Sequence, residues 1–283
     1  MIAIVYSGSR YANWRLSDKG KEVIELRTNG INPFFNDEKY ITHQLNKNAQ
    51  LINHAEEIKK IYFFGAGSSS KERNETVKNA LAGFFKFSKV YVSHDLEAAA
   101  KASCDDKPGI ISIIGSGSNT GFFDGKKVLP NNYGLGYAIG DEGSANWLGK
   151  SLLKAYLNKT LPAKLATSFE KKYDLDRKQI MDKIYKQSYA ASFLTSFSDF
   201  FKENRKDDFI QNMIKDGFRI FMDTYLIPIS QKYGGKHPVY FVGSVAANYQ
   251  DILREVAKEK NINISSVIKE PIYNLLNYYA NKN

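Results

Sequence analysis

The stretch IVYSGSRYANW, residues 4–14, passes from an apolar run through a small turn centred on Gly8 and returns to apolar residues at Trp14. A second stretch, IIGSGSNTGFF at residues 113–123, repeats the order of apolar run, Ser-Gly-Ser turn and aromatic residues. Apolar runs joined by such turns are typical of β-hairpins. Because the motif returns later in the chain, we predict two copies of one fold.

The first part of the chain predicts a definite order of strands and helices. Three short strands form a meander, and a helix, a strand ending in glycines, a helix, a strand and a helix follow. The segments are residues 2–6, 14–18 and 23–28, a helix from Asp37 to about Ile58, KKIYFFGAG, a helix to about Phe85, KVYVSH and DLEAAAKAS. The predicted order is therefore β-β-β-α-β-α-β-α.

The same order begins again at Gly109. We predict three strands, GIISIIGSGS, TGFFDG and KKVLP, followed by a long helical insertion. A strand that echoes IYFFGAG, PVYFVGSV, comes next, and then a helix, the strand SSVIK and the final helix IYNLLNYYA. These copies predict a first domain over residues 1–107 and a second over 108–270, with the insertion at about 143–232. The last helix, 271–283, is predicted to pack back on the first domain.

The composition limits the classes of protein that the chain could be. Hydrophobic residues make up 43% and charged residues 25% of its 283 residues, as in soluble globular proteins. The net charge of +10 comes from scattered lysines and arginines, which favours a solvated surface over a nucleic-acid interface. The single cysteine, Cys104, excludes an internal disulfide and a cysteine metal cluster. No apolar run approaches the ~20 residues of a membrane helix, so we expect a cytoplasmic protein with no membrane partner.

Seven motifs occur in order along nearly the whole chain: TNGINPFFND, YFFGAGSSS, SHDLEAAAKA, ISIIGSGSNTGFFDG, LGYAIGDEGSANWLGK, YFVGSVAANYQDILREV and EPIYNLLNYY. Together they resemble the bacterial N-acetylglucosamine kinase-like branch of the family that also holds benzoyl-CoA-reductase-type ATPases. The resemblance implies an α/β fold of two ribonuclease-H-like domains around a central cleft, as in actin, sugar kinases and heat-shock ATPases. ATP would lie in that cleft.

The resemblance also implies a reaction and the residues that carry it. The implied activity is ATP-dependent phosphorylation of an N-acetylated amino sugar such as N-acetylglucosamine, by a homodimer. Asp95 would take the proton from the attacking hydroxyl, and Asn32, Gly117 and Asp141 would join it in binding the sugar. From the residues alone, Asp95 and the pair Asp141 and Glu142 are equally typical of helix caps, and Asn32 of a turn before a proline.

Three glycine turns resemble the nucleotide-binding turns of the family. A tight turn of small residues presents backbone N–H groups that bind anions, and glycine allows close approach of the phosphates. The implied nucleotide-binding residues are Ser7, Gly8, Ser9 and Arg10 in the first turn, Ser116, Gly117, Ser118 and Asn119 in the second, and Gly243 and Ser244 in the third.

The first turn departs from the family pattern, which reads Asp-Ser-Gly-Ser-Thr-Lys-Thr-Asp-Trp. The leading acid, which helps to hold Mg²⁺ through water, is Tyr6 here, the lysine is Tyr11 and a hydroxyl residue is Ala12. A phenol is a poor ligand for Mg²⁺, which leaves Asp141 as a carboxylate that could reach the metal through water. Two functions stay open: a kinase that uses ATP and Mg²⁺, and a sugar- or nucleotide-binding sensor or scaffold with weakened or lost catalysis.

Other phosphate-binding and hydrolytic classes fail on context. A P-loop at Gly149-Lys150-Ser151 would need its first glycine at Ser144. The stretch GSGSNTG misses the dinucleotide pattern G-x-G-x-x-G by one position, and no G-x-S-x-G occurs.

Overall fold

The computed structural model describes residues 1–8, 11–18, 23–187, 189–280 and 282. The chain divides into two compact units, each with one β-sheet and several helices. The first unit comprises Met1–Gly109, Phe123–Leu129 and Glu270–Asn283, and the second comprises Ile110–Phe122 and Pro130–Lys269. The predicted α/β fold class is confirmed.

The sheet of the first unit has five strands in the order β3-β2-β1-β4-β5. Strands β1 to β3 form an antiparallel meander, and β4 and β5 run parallel to β1. Their bounds are Ile2–Ser7, Tyr11–Ser17, Val23–Asn29, Lys60–Gly65 and Lys89–His94. One face is covered by a core around the fully buried Trp14, whose indole N–H donates to Thr28 Oγ1 at 3.1 Å.

The predicted helix from Asp37 to Ile58 is wrong, because two helices occupy that segment. The helices of the first unit before residue 110 are α1 Glu38–Asn46, α2 Ala49–Asn53, α3 Lys71–Phe84 and α4 Asp95–Ser103. Asn48 separates the first two, since its backbone is extended and its side chain accepts the N–H of Leu51. A side chain that caps a new helix competes with continuation of the old one.

The sheet of the second unit has four strands in the order β7-β6-β8-β9: β6 Gly109–Ile114, β7 Ser118–Phe123, β8 Val239–Val242 and β9 Ile264–Ile268. The predicted third strand, KKVLP, is wrong, because that segment makes only an isolated bridge from Val128 to Phe123. The Asp124 carboxylate accepts the N–H groups of Lys126 and Lys127, both at 2.8 Å, and so curls the chain. Pro130 then has no N–H for a ladder.

The predicted insertion is helical, and its aromatic residues form a core. The helices of the second unit are α5 Ala145–Leu157, α6 Ala163–Tyr173, α7 Arg177–Tyr185, α8 Ala190–Thr195, α9 Ser198–Glu203, α10 Asp208–Phe221, a π-turn Met222–Leu226, α11 Ile227–Lys232, α12 Ser244–Asn248 and α13 Gln250–Glu259. Phe169, Phe197, Phe200 and Phe201 are buried together. Among the described residues, no helix is both long and apolar enough to span a bilayer.

The last helix, α14 Ile272–Ala280, packs on the sheet of the first unit. Ile272, Leu275 and Leu276 are buried in one cluster with Ile4 of β1 and Phe64 of β4. The helix therefore covers the sheet face opposite to Trp14.

Truncating a buried side chain of this helix should make the protein easier to unfold. We expect Leu275→Ala to lower the free energy of unfolding by about 2–5 kcal/mol, because a fully buried leucine leaves a cavity. Asn277→Ala, on the exposed face of the same helix, should change it by less than about 0.5 kcal/mol. Urea unfolding of both variants measures the difference, and equal midpoints would contradict the packing.

Candidate functional site

The parallel strands of each unit bring the predicted site residues to their carboxyl ends, where ligands bind in α/β proteins. In the first unit, Tyr6 lies near the end of β1 and Asp95 follows directly after β5. In the second unit, the turn that contains Gly117 follows β6, and Gly243 follows β8.

Asp95 is the first residue of α4 and is not its N-cap. The cap is His94, whose Nδ1 accepts the N–H of Glu97 at 3.3 Å. One carboxylate oxygen of Asp95 accepts the N–H of Leu96 at 2.9 Å. Burial raises the pKa of the Asp95 carboxyl above its ordinary value, and His94 and the bond from Leu96 oppose that rise. A partly desolvated carboxylate on a fixed backbone is a suitable proton acceptor.

Tyr6 is half-buried beside this carboxylate. Burial raises the pKa of the Tyr6 phenol far above its usual range, and the negative charges of Asp95 and Glu270 raise it further. The phenol is therefore neutral at physiological pH and carries a proton that it can donate to a ligand.

Asn32 forms the turn that follows β3. Its side-chain Oδ1 accepts the N–H of Phe34 at 2.9 Å, and its own N–H donates to Asn36 Oδ1 at 2.8 Å. Gly67, with φ +81°, packs against it so closely that a Cβ there would lie 2.1 Å from Asn32 Oδ1. The side-chain amide group keeps its two N–H donors for a ligand.

In the first glycine turn, the described residues Ser7 and Gly8 use their polar groups internally. The buried Ser7 hydroxyl donates to the Ile31 carbonyl at 2.9 Å and accepts the Ile31 N–H at 2.8 Å. The Gly8 N–H donates to the Tyr11 carbonyl at 3.0 Å. Ser7 thus joins β1 to the loop of Asn32, and its hydroxyl is occupied in doing so. Ser9 and Arg10 lie outside the described residues.

The second glycine turn presents free backbone amides. The carbonyls of Gly115 and Ser116 accept the first two N–H groups of α5, from Ala145 at 2.9 Å and Asn146 at 3.0 Å. These bonds direct the carbonyls toward α5. Within the part of the chain that the structure describes, the N–H groups of Ser116 and Gly117 have no hydrogen-bond acceptor. Adjacent free amides of this kind form an anion-binding nest.

Asp141 fixes the conformation of this turn through hydrogen bonds of its carboxylate. It is 6% exposed, its Oδ1 accepts the Ser118 N–H at 3.0 Å, and its Oδ2 accepts the amide of Asn146 at 2.9 Å. Burial raises the pKa of the Asp141 carboxyl, and these two hydrogen bonds oppose the rise. A Cβ on Gly117 would lie 2.8 and 2.9 Å from the two carboxylate oxygens. Asp141 therefore stabilises the conformation of the turn. The side-chain oxygen of Asn119 accepts the N–H of its own neighbour Thr120.

The third turn lies beside the second. Gly243 has φ +126°, and a Cβ there would lie 2.4 Å from the carbonyl oxygen of Ile114, at the end of β6. Ser244 is exposed and lines a cavity of about 150 Å³. Other lining residues are Leu148, Phe201, Val245, Tyr249, Lys202 and Lys269. Sequence reasoning missed Phe201 and Tyr249, since no motif distinguishes them from the other aromatic residues of a helical core.

The described residues form no all-protein cage for a magnesium ion. Both oxygens of Asp141 accept hydrogen bonds within its own unit, and Tyr6 offers a neutral phenol. Across the described ranges, no group of three or more histidine, cysteine, aspartate or glutamate side chains could hold a metal ion. Mg²⁺ at nucleotide sites is usually held by one or two carboxylates together with substrate phosphates and waters, so a bound nucleotide would supply most of its ligands.

Solved structures match the chain over its whole length. A putative N-acetylglucosamine kinase from Porphyromonas gingivalis is 30% identical, with a TM-score of 0.93 and 99% of each chain covered. A putative N-acetylglucosamine kinase from Chromobacterium violaceum is 15% identical, with a TM-score of 0.69 over 98% of this chain and 99% of that one. A ROK hexokinase from Thermus thermophilus is 14% identical, with a TM-score of 0.58 over 100% and 99%. No protein-family model and no curated protein matches.

Adding one methyl group to the second turn should distort it. We expect Gly117→Ala to lower the free energy of unfolding by about 1–3 kcal/mol, because the buried Asp141 carboxylate is held by two bonds and cannot move aside. Gly83→Ala is the matched control, since an added Cβ in helix α3 meets nothing within 4 Å. It should raise stability by about 0.5–1 kcal/mol. Chemical denaturation decides, and a neutral Gly117→Ala would contradict the fit.

Proposed function

This chain belongs to the superfamily of actin-like ATPases and sugar kinases, and we propose that it transfers the γ-phosphate of ATP to a hydroxyl of an N-acetylated amino sugar. The observation that carries the proposal is the pair of free amides at Ser116 and Gly117 beside the cavity that Ser244 lines. An anion nest next to a cavity with apolar walls suits a nucleotide. The 30% identical relative, a putative N-acetylglucosamine kinase, supports the choice of sugar.

The second unit binds the nucleotide in this proposal. The amides of Ser116 and Gly117 donate to phosphate oxygens, and Ser244, which is exposed and lines the cavity, adds a hydroxyl donor. The purine lies in the cavity against Phe201 and Tyr249. Aromatic side chains there supply apolar contact area, and the two lysines at its lining add positive charge for an anionic ligand.

The first unit supplies the base and binds the sugar. Asp95 accepts the proton of the sugar hydroxyl, and that oxygen bonds to the γ-phosphorus as the bond from phosphorus to the bridging oxygen of ADP breaks. The amide of Asn32 donates to a second sugar hydroxyl. Because phosphoryl transfer depends on position and charge, one base and a set of N–H donors provide its basic requirements.

A second candidate rests on Tyr6. A neutral phenol in place of a carboxylate leaves the sugar-side residues complete and weakens any metal-dependent chemistry. Such a protein would bind an amino sugar or a nucleotide as a sensor or scaffold, without turnover.

The proposed reaction is tested by mass spectrometry of sugar products. Purified protein is incubated with ATP and a panel of N-acetylglucosamine, N-acetylmuramic acid, glucosamine and glucose, with and without Mg²⁺. We expect a phosphorylated N-acetylated sugar, and a rate lower by about 10²–10⁴-fold in Asp95→Asn, which removes the base. Asp174→Asn is the matched control, because Asp174 is exposed in a left-handed conformation that asparagine also adopts.

The outcomes separate the two candidates. Product that depends on Asp95 establishes the kinase. Sugar binding by calorimetry without product from any sugar would replace the kinase with the sensor or scaffold. Absence of ATP binding and of product would refute the proposed function.

Asp95 should also lower the free energy of unfolding at neutral pH. Because its native pKa is raised, the folded protein holds the Asp95 proton more tightly than the unfolded chain, whose aspartate pKa is about 3.9. Stability therefore falls as the pH rises from that value through the native pKa. We expect Asp95→Asn to unfold at a higher urea concentration than wild type at pH 7, with the difference vanishing near pH 4. A difference that is independent of pH would show that Asp95 carries no such shift.

A further inference from the structure

One row of side chains crosses the three-stranded meander of the first unit near the turn that joins β1 to β2. Tyr6 of β1 pairs with Asn13 of β2, and Asn13 pairs with Arg27 of β3. Residues directly opposite in neighbouring strands project from the same face of a sheet. We call Tyr6, Asn13 and Arg27 the polar row.

The contacts of the polar row orient its donors. Arg27 Nε donates to Asn13 Oδ1 at 2.9 Å, and the guanidinium lies 4.9 Å from the ring centre of Tyr11. Among the described residues, no acceptor takes the N–H groups of the Asn13 side-chain amide, so they are available to a ligand. The two terminal nitrogens of Arg27 and the neutral phenol of Tyr6 add further donors.

The neighbouring row shows what an arginine of this sheet does when a carboxylate is available. Arg15, two residues along β2 from Asn13, pairs with Glu25 at 3.1 Å and contacts Tyr273. Arg27 is exposed, and none of the carboxylates that the structure describes forms an ion pair with it. A positive charge with oriented donors and no acid partner in its row is complementary to an oxyanion.

The charge is unevenly placed along the row. The carboxylates of Asp95 and Glu270 act on the Tyr6 end, where they raise the pKa of the phenol. Arg27 is at the other end, two strands away from β1. An anion is therefore favoured at the end of Asn13 and Arg27, and the acid that serves as base stays separate from it.

We propose that the polar row binds a phosphoryl group directly, with the guanidinium of Arg27 and the amide of Asn13 as its ligands and no divalent cation between them. This inference rests on the proposed function, and it deepens that function by naming how the first unit contacts phosphate. The phosphoryl group belongs either to ATP or to a phosphorylated amino sugar.

Calorimetry in EDTA tests the proposal with two ligands, ATP and N-acetylglucosamine 6-phosphate. We expect wild-type protein to bind at least one of them without Mg²⁺, and Arg27→Gln to weaken that binding by at least about tenfold, as for loss of a charge-assisted phosphate contact. Arg177→Gln removes an equal charge from an exposed position of α7 and should leave the affinity unchanged. Thermal unfolding shows whether each variant is folded.

A charge introduced into the row gives a second, independent readout. Tyr6→Asp places a carboxylate beside the phosphoryl group, so we expect weaker binding in EDTA and a larger gain in affinity when Mg²⁺ is added than wild type shows. Equal affinities of wild type, Arg27→Gln and Tyr6→Asp in EDTA would overturn the proposal.

The ligands distinguish this proposal from the proposed function. If ATP binds only with Mg²⁺ and with the same affinity in Arg27→Gln, the kinase stands and the polar row does not bind phosphate. If the sugar phosphate binds through Arg27 while ATP never binds, the row stands and the kinase falls. If neither ligand binds under any condition, both are wrong.

Discussion

The buried carboxylate of Asp141 is the constraint on which the second unit's site depends. It accepts one backbone N–H and one side-chain amide at once, so the turn after β6 and the start of α5 are held in one arrangement. Its oxygens leave no room for a Cβ at Gly117. Since the turn's carbonyls are taken by α5, its amides remain for an anion. A buried acid with satisfied hydrogen bonds thus orients neutral donors of the turn.

Much of the fold could be predicted because its signals are local. Alternating apolar runs and glycine turns predicted the meander of the first unit and β4, β5, β8 and β9, since each needs only its own residues. The errors lie in segments where one polar side chain determines the backbone conformation. Asn48 starts a new helix inside an apolar helical pattern, and Asp124 curls a segment whose composition favours a strand. Such capping choices depend on geometry that composition does not specify.

For the candidate site, the sequence predicted the positions of residues better than it predicted their roles. Glycine turns at strand ends predicted where Gly117 and Gly243 lie, because a Cβ at Gly117 would meet Asp141 and the positive φ of Gly243 disfavours other residues. The functions of Ser7 and Asp141 depend on partners distant in sequence, Ile31 and Asn146 among them, and no local pattern shows those bonds. Arg27 was missed for the same reason. Its proposed role as a phosphate ligand depends on the register of three strands, which places it in line with Asn13 and Tyr6.

The distribution of charge separates two tasks that a kinase must perform. A base must remain anionic, and the phosphoryl group it serves needs positive charge or N–H donors. In the first unit, Asp95 is at the end of β5, whereas Arg27 is on the outermost strand at the other edge of the same sheet. Backbone amides and a guanidinium stabilise developing charge without a metal, but a single guanidinium charge is weaker than that of a divalent ion at the same distance. Binding elements that act equally on ground and transition states raise affinity and leave the rate unchanged. A row that contacts phosphate equally in both states, as proposed above, therefore suits a slow kinase and a phosphate-binding sensor alike.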